Sequence, residues 1–231
     1  RDSNCINWPV LRRIVVQLGK SEHDFILEEH ALRDKQAKRR PRIRADFRHE
    51  DILTNLPMQH RRDEMYICPK QDGWEERYYR CLFKVEITDS RRHQICLNYL
   101  EGLEWTYNYY TSGCVDWRWT YRYAYPPLLS DLAHYVPHLK MPVLTRSPLC
   151  NHPVEMLVQL AYVLPRANFS LLPNKLAKAL LQRHPEWYKT AEEFKWAYCK
   201  YFWESHPVLN EVSLSKIEDL VVEYGDSRRT H

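Results

Sequence analysis

The residues best suited to chemistry or recognition are aromatic. Between Tyr99 and Tyr125, ten of 27 residues are Tyr or Trp: Tyr99, Trp105, Tyr107, Tyr109, Tyr110, Trp117, Trp119, Tyr121, Tyr123 and Tyr125. Two uses compete. Such rings build a core whose hydroxyl and indole N–H groups reach buried partners. They also build platforms on which bases stack, and stacking tolerates any sequence because every base has a π-face. Arg118 and Arg122 lie among the rings, where they suit phosphates. Composition alone leaves both uses open. The carboxylates offer less. Asp51, Glu75, Glu76, Glu101, Glu104, Asp116 and Asp131 form no D-x-D or other compact ligand set. Glu101 and Glu104, one helical turn apart, read as a solvated or core-capping pair, and Asp131 after Ser130 reads as a helix cap. Cys150-Asn-His152 and His134-x-x-x-His138 touch on zinc chemistry, but no second pair has structural-site spacing and Pro137 disturbs the i, i+4 geometry. No residue is assigned as catalytic and none as a metal ligand.

The elements that must position these residues are mainly helical. Val10, Leu11, Ile14, Val15 and Leu18 recur on one helical stripe, which predicts helix over 7–32. Asn7 suits its cap, Pro9 its first turn and Gly19 an end or bend, with Ser21 and Asp24 resembling a capping box. A basic segment follows at 33–48: Arg33, Lys35, Lys38, Arg39, Arg40, Arg42, Arg44 and Arg48 against Asp34 and Asp46. It reads as a solvated helix end running into a loop, with Arg39 and Arg40 as candidates for contact with an RNA or DNA backbone. Residues 51–90 are mixed, with turn signals at Pro57, Pro69 and Asp72-Gly73.

Residues 91–111 read as helix with Leu100, Leu103, Tyr107 and Tyr110 on one face, stopped at Gly113. Residues 114–149 read as irregular, with a short helix near Ser130 to Tyr135. Asn151 and Pro153 open a helix through Val163, and Pro173 opens another through Gln182. Residues 195–204 alternate like a strand, and Ser215-Lys-Ile-Glu218 reads as a capping-box start for a final helix. The predicted fold is mainly α: one irregular helical domain over 1–231, with aromatic-rich loops and a short strand segment near the C-terminus.

Composition narrows the class. Hydrophobic residues are 44% and charged residues 28%, which is ordinary globular usage. Five Gly argue against a glycine-rich nucleotide fold. No apolar run approaches the roughly 18–20 residues of a membrane span, and the polar start carries no secretory signal. Seven Cys, odd in number and without C-x-x-C, read as reduced thiols of an intracellular protein, cytoplasmic or nuclear. A net charge of +4 does not by itself demand nucleic acid. The chain opens at Arg1 without Met, which favours a fragment or processed product.

The aromatic segment also carries a resemblance. Tyr99-Leu-Glu-Gly-Leu-Glu-Trp105, Tyr109-Tyr110, Gly113-Cys114, Trp117-Arg-Trp119, Tyr121-Arg-Tyr123-Ala-Tyr125, Pro127 and Ser130-Asp131-Leu132 hold register without a gap. This run resembles the signature of the Xrn family of 5′-3′ exoribonucleases. Gly73-Trp74-Glu-Glu-Arg77-Tyr78-Tyr79, Pro153 to Pro165, Leu171-Leu172-Pro173 and Trp203 to Leu214 resemble further family elements in order, over about residues 50–220. Departures are Ala124 for the family's His, Arg122 for its Pro and Asp116 where Ser is usual.

The resemblance implies the second conserved, helical region of a nuclease core that degrades 5′-monophosphorylated RNA processively. It implies an active site braced by this region, and catalytic carboxylates with Mg or Mn on an N-terminal region of the same protein that this chain lacks. A base-stacking Trp is implied at Trp117 or Trp119, with Trp105 third. RNA and that N-terminal region are the implied partners. A non-catalytic RNA-binding or scaffold domain is the alternative.

Overall fold

The computed structural model describes residues 5–38, 60–144 and 152–225. Among them are nine α-helices, three short 3-10 turns and one two-stranded ribbon, so the mainly helical prediction holds. The described residues cluster into two compact units, one running to His152 together with Trp196–Glu204, the other formed by Pro153–Lys195 and the chain from Ser205 onward.

The first unit begins with α1 (Trp8–Lys20). Asn7 accepts from the Val10 N–H and Pro9 sits in the first turn, as the sequence predicts. Ser21 separates α1 from α2 (Glu22–Ala37) but makes no side-chain cap, so the expected capping box does not form. Glu22 instead reaches out of its own helix. Its carboxylate accepts from the N–H groups of Leu129 and Ser130 at 2.6 and 3.0 Å. These are orphan donors at the start of α6 (Leu129–Tyr135). Gly19 lies in the last turn of α1, one residue before the helix ends at Lys20. It lets the backbone of Leu129 and Ser130 approach to within 3.3–3.4 Å of where a Cβ would stand.

Two short helices follow, α3 (Arg62–Ile67) and α4 (Trp74–Leu82). Gly73 starts α4 at φ +74, a left-handed conformation suited to glycine. Arg77 closes the joint by donating to the carbonyls of Ile67, Cys68, Gln71 and Asp72. The long α5 (Asp89–Ser112) is capped by Thr88 and ends at Gly113, φ +98. Its buried seam is Cys96, Leu100, Glu104 and Asn108 with Ile95 and Asn98. The sequence reading of its face is thus half right: Leu100 is buried, but Tyr110 is exposed, because buried polar residues displace the aromatic stripe.

One core joins Trp8, Val15, Cys96, Leu100, Leu132 and Val136. Another joins Ile67, Trp74, Tyr78, Tyr79, Leu82, Ile95, Tyr125, Leu128 and Ala197.

In the second unit, α7 (Met156–Val163) starts three residues after Pro153, and α8 (Asn174–Arg183) follows Pro173. The final helix, α9 (Leu214–Tyr224), is capped by Ser213, which accepts from the Lys216 N–H; the expected start at Ser215 lies inside the helix. These helices share a core of Val158, Ala161, Leu176, Leu180, Ile217, Leu220 and Val221. The ribbon pairs β1 (Phe194–Lys195) with β2 (His206–Pro207), antiparallel. The short strand segment expected near the C-terminus is this ribbon, which flanks Trp196–Glu204 and does not run through it. Trp196–Glu204 is an irregular loop in which Tyr198 takes φ +62, closed by Cys199 N–H to Trp196 O and Lys200 N–H to Glu204 Oε2.

Candidate nucleic-acid interface

The aromatic segment folds back across α5 and is fastened there at several points. Buried Asn98 accepts from the Arg122 N–H at 3.0 Å. Trp105 Nε1 donates to the Asp116 carbonyl at 2.7 Å, and Asp116 Oδ1 accepts from the Arg118 N–H at 2.8 Å. This pins a tight turn at 116–119 against the helix. Trp119 lies over Gly102, where a Cβ would stand 2.6 Å from the indole. Trp105 stacks on Trp119 at 6.0 Å and 21°, and on Tyr109 at 5.4 Å and 12°.

Downstream, Tyr121 donates to the Tyr125 carbonyl and packs edge-on to Tyr99 and Tyr123. Tyr78 donates to Pro126 O at 2.9 Å. Tyr79 donates to Asp131 Oδ2 at 2.6 Å and accepts from the Leu128 N–H. Burial and the Asp131 carboxylate together push the Tyr79 phenol far above its ordinary value, so it stays a donor.

The ten rings therefore divide. Seven are buried or half-buried packing, and three are exposed: Tyr109, Tyr110 and Trp117. Of the three sequence candidates, Trp117 is 44% exposed at the tip of the pinned turn, whereas Trp119 and Trp105 are stacked into the column. Arg118 and Arg122 are exposed on the same segment. Arg39 and Arg40 lie outside the described residues. Tyr109 and Tyr110 were missed as binding candidates; the i, i+4 spacing from Trp105 is the signal that finds Tyr109.

Arg33 does not belong to a solvated basic face. It is buried, and its guanidinium donates to Glu29, Glu64 and the carbonyls of Tyr198 and Cys199 at 2.5–2.9 Å. Glu64, 1% exposed, also takes Arg61 Nε at 2.6 Å and the Tyr198 N–H at 2.9 Å. The pairing explains the burial: a charge is tolerated inside only when paired and hydrogen-bonded. This network clamps the loop at 196–204 onto α2 and α3.

Glu104, Glu101 and Asp131 hold structure, in keeping with the reading of Glu101 and Glu104 as a core-capping pair. Glu104 accepts from the N–H groups of Val143 and Leu144 at 2.6 and 2.7 Å. Glu101 takes Asn98 at 3.1 Å. Asp131 is not the α6 cap; it sits in the first turn, bonded to Tyr79. It also stands 3.0 Å from Arg92 Nε, an ion pair not aligned as a hydrogen bond. Among the described residues no group of three His, Cys, Asp or Glu is placed to hold a metal. No helix among them is long and apolar enough to cross a membrane.

This arrangement, a helical body with an aromatic segment pinned across its longest helix, belongs to a defined class. Residues 28–186 match the family described as the Xrn1 helical domain, and the chain belongs to that family. Its relatives include proteins named 5′-3′ exoribonuclease 2. The homologue in Caenorhabditis elegans is 34% identical over 116 residues, covering 48% of this chain and 11% of that protein. The Gallus gallus protein is 35% identical over 111 residues, 48% and 11%. The Saccharomyces cerevisiae protein is 36% identical over 113 residues, 48% and 10%. The chain thus spans about a tenth of the length of these curated relatives.

Proposed function

We propose that this chain is the helical part of a 5′-3′ exoribonuclease acting processively on 5′-monophosphorylated RNA. In this reading it braces the active site and stacks an RNA base on Trp117, while Arg118 and Arg122 meet phosphates. The catalytic carboxylates and their Mg or Mn belong to an N-terminal region of the same protein. The observation that carries the reading is the 116–119 turn. It holds an exposed indole at its tip while Trp105 locks its backbone to α5. A ring carried on a pinned backbone costs less ordering on binding, which favours stacking of roughly 1–3 kcal/mol per base.

The relatives' names support the reaction class. The test is Trp117→Ala in a nuclease that contains this chain with its N-terminal region. The expected result is slower degradation of 5′-phosphorylated RNA with an unchanged melting temperature. Unchanged turnover removes Trp117 from the mechanism.

A further inference from the structure

The ring column on α5 does not end in a wall. Trp119 lies over Gly102, Trp105 stacks on it, and Tyr109 stacks on Trp105 at 5.4 Å. That spacing equals the rise of one helical turn, so the column climbs α5 one ring per turn. The next positions on this face are Ser112 and Gly113. The Ser112 hydroxyl turns back to the Asn108 carbonyl at 3.1 Å. A Cβ built on Gly113 meets nothing within 4 Å. Among the described residues Tyr109 meets no ring except Trp105 and Tyr110, so a fourth ring would stack on its face away from Trp105. Tyr109 is 48% exposed beneath it, and Tyr110, 82% exposed, stands perpendicular to Tyr109 at 84° and 5.4 Å.

We propose that the outer face of Tyr109 is a second stacking site, taking an unpaired base of single-stranded RNA as the fourth ring of the column. Tyr110 forms its side wall. The proposal rests on the RNA reading above but assigns a different residue and a different place, on α5 rather than at the 116–119 turn. Three features favour a base over a protein side chain. The position faces a ring already aligned with Trp105, which is itself stacked on Trp119. Its support is rigid, because Trp105 is anchored to the Asp116 carbonyl. Stacking of this kind requires only a π-face and so serves RNA of any sequence.

The test uses the 231-residue chain and a ten-nucleotide 5′-phosphorylated oligoadenylate carrying one 2-aminopurine, whose fluorescence is quenched on stacking. Tyr109→Leu is expected to weaken binding roughly 5- to 100-fold and to reduce the quenching, while Tyr109→Phe keeps both. Ser112→Trp, which leaves Tyr109 intact and fills that position from the chain itself, is expected to weaken binding similarly. Parental affinity and quenching in both Tyr109→Leu and Ser112→Trp overturns the proposal. If Trp117→Ala weakens binding in that case, the RNA reading stands without the second site. A parent chain that binds no oligonucleotide overturns the RNA reading and this site with it.

Discussion

At the scale of single residues, the charged groups inside the first unit set its tolerance to change. Glu64 meets Arg33, Arg61 and the Tyr198 N–H at once. Replacing it with Gln leaves two buried guanidinium groups short of an anion. Breaking a buried pair from one side costs about 3–5 kcal/mol, so Glu64→Gln is expected to lower the denaturant midpoint sharply. A change below about 1 kcal/mol would mean the network is not buried as described. His30 lies one turn before Arg33 on α2, with its Nε2 buried and unpartnered and its ring edge-on to Tyr198. Burial, chiefly, holds its pKa below the ordinary 6.5, against the pull of Glu64. Above pH 6.5 both states are neutral. As pH falls below it, the unfolded chain takes up a proton that the folded chain resists, so stability declines until the folded pKa is reached. Denaturant midpoints at pH 7.5 and 5.5 are expected to differ more for the parent than for His30→Gln, and equal differences would contradict this.

At the scale of elements, the site depends on how closely the aromatic segment can lie on α5. Gly102 decides that distance. An Ala methyl there would stand 2.6 Å from the Trp119 ring, so the indole must move off the helix. Gly102→Ala is expected to disturb the Trp105–Trp119 stack, visible in near-UV circular dichroism, while far-UV helicity is retained. An unchanged near-UV spectrum would place Trp119 elsewhere.

The elements also show what a sequence can and cannot say. The Asn7 cap, the stop at Gly113 and the short helix near 130–135 rest on local backbone chemistry, and they were readable. Distant partners were not. Glu22 capping α6, Glu104 capping 143–144 and Arg33 clamping 198–199 join residues 39 to more than 160 positions apart, and periodicity carries no trace of them. The alternation over 195–204 misled for a related reason. Burial of Ala197 and Cys199, with Tyr198 at positive φ under the Arg33 clamp, mimics a strand's period in an irregular loop. Trp117 was legible as a candidate through the family resemblance; its separation from Trp119 was not, because it depends on a turn folded by Trp105.

At the scale of the whole molecule, charge and chemistry divide the labour. The net charge of +4 is modest, so nonspecific attraction to a polyanion is limited, and stacking must supply much of any affinity. Glu22, Glu64, Glu104 and Asp131 act as helix caps, loop anchors and ion-pair partners. The purified chain is therefore expected to bind single-stranded RNA without releasing mononucleotides. Robust, EDTA-sensitive release would show that it carries a metal site of its own.

On the proposed reading, the pinned 116–119 turn offers Trp117 to an RNA base. This is tested most directly by titrating the parent chain and Trp117→Ala with a 5′-phosphorylated single-stranded RNA at fixed salt. Loss of roughly tenfold or more in affinity, with melting temperature unchanged, is the predicted result. Equal affinities for the two proteins would contradict it.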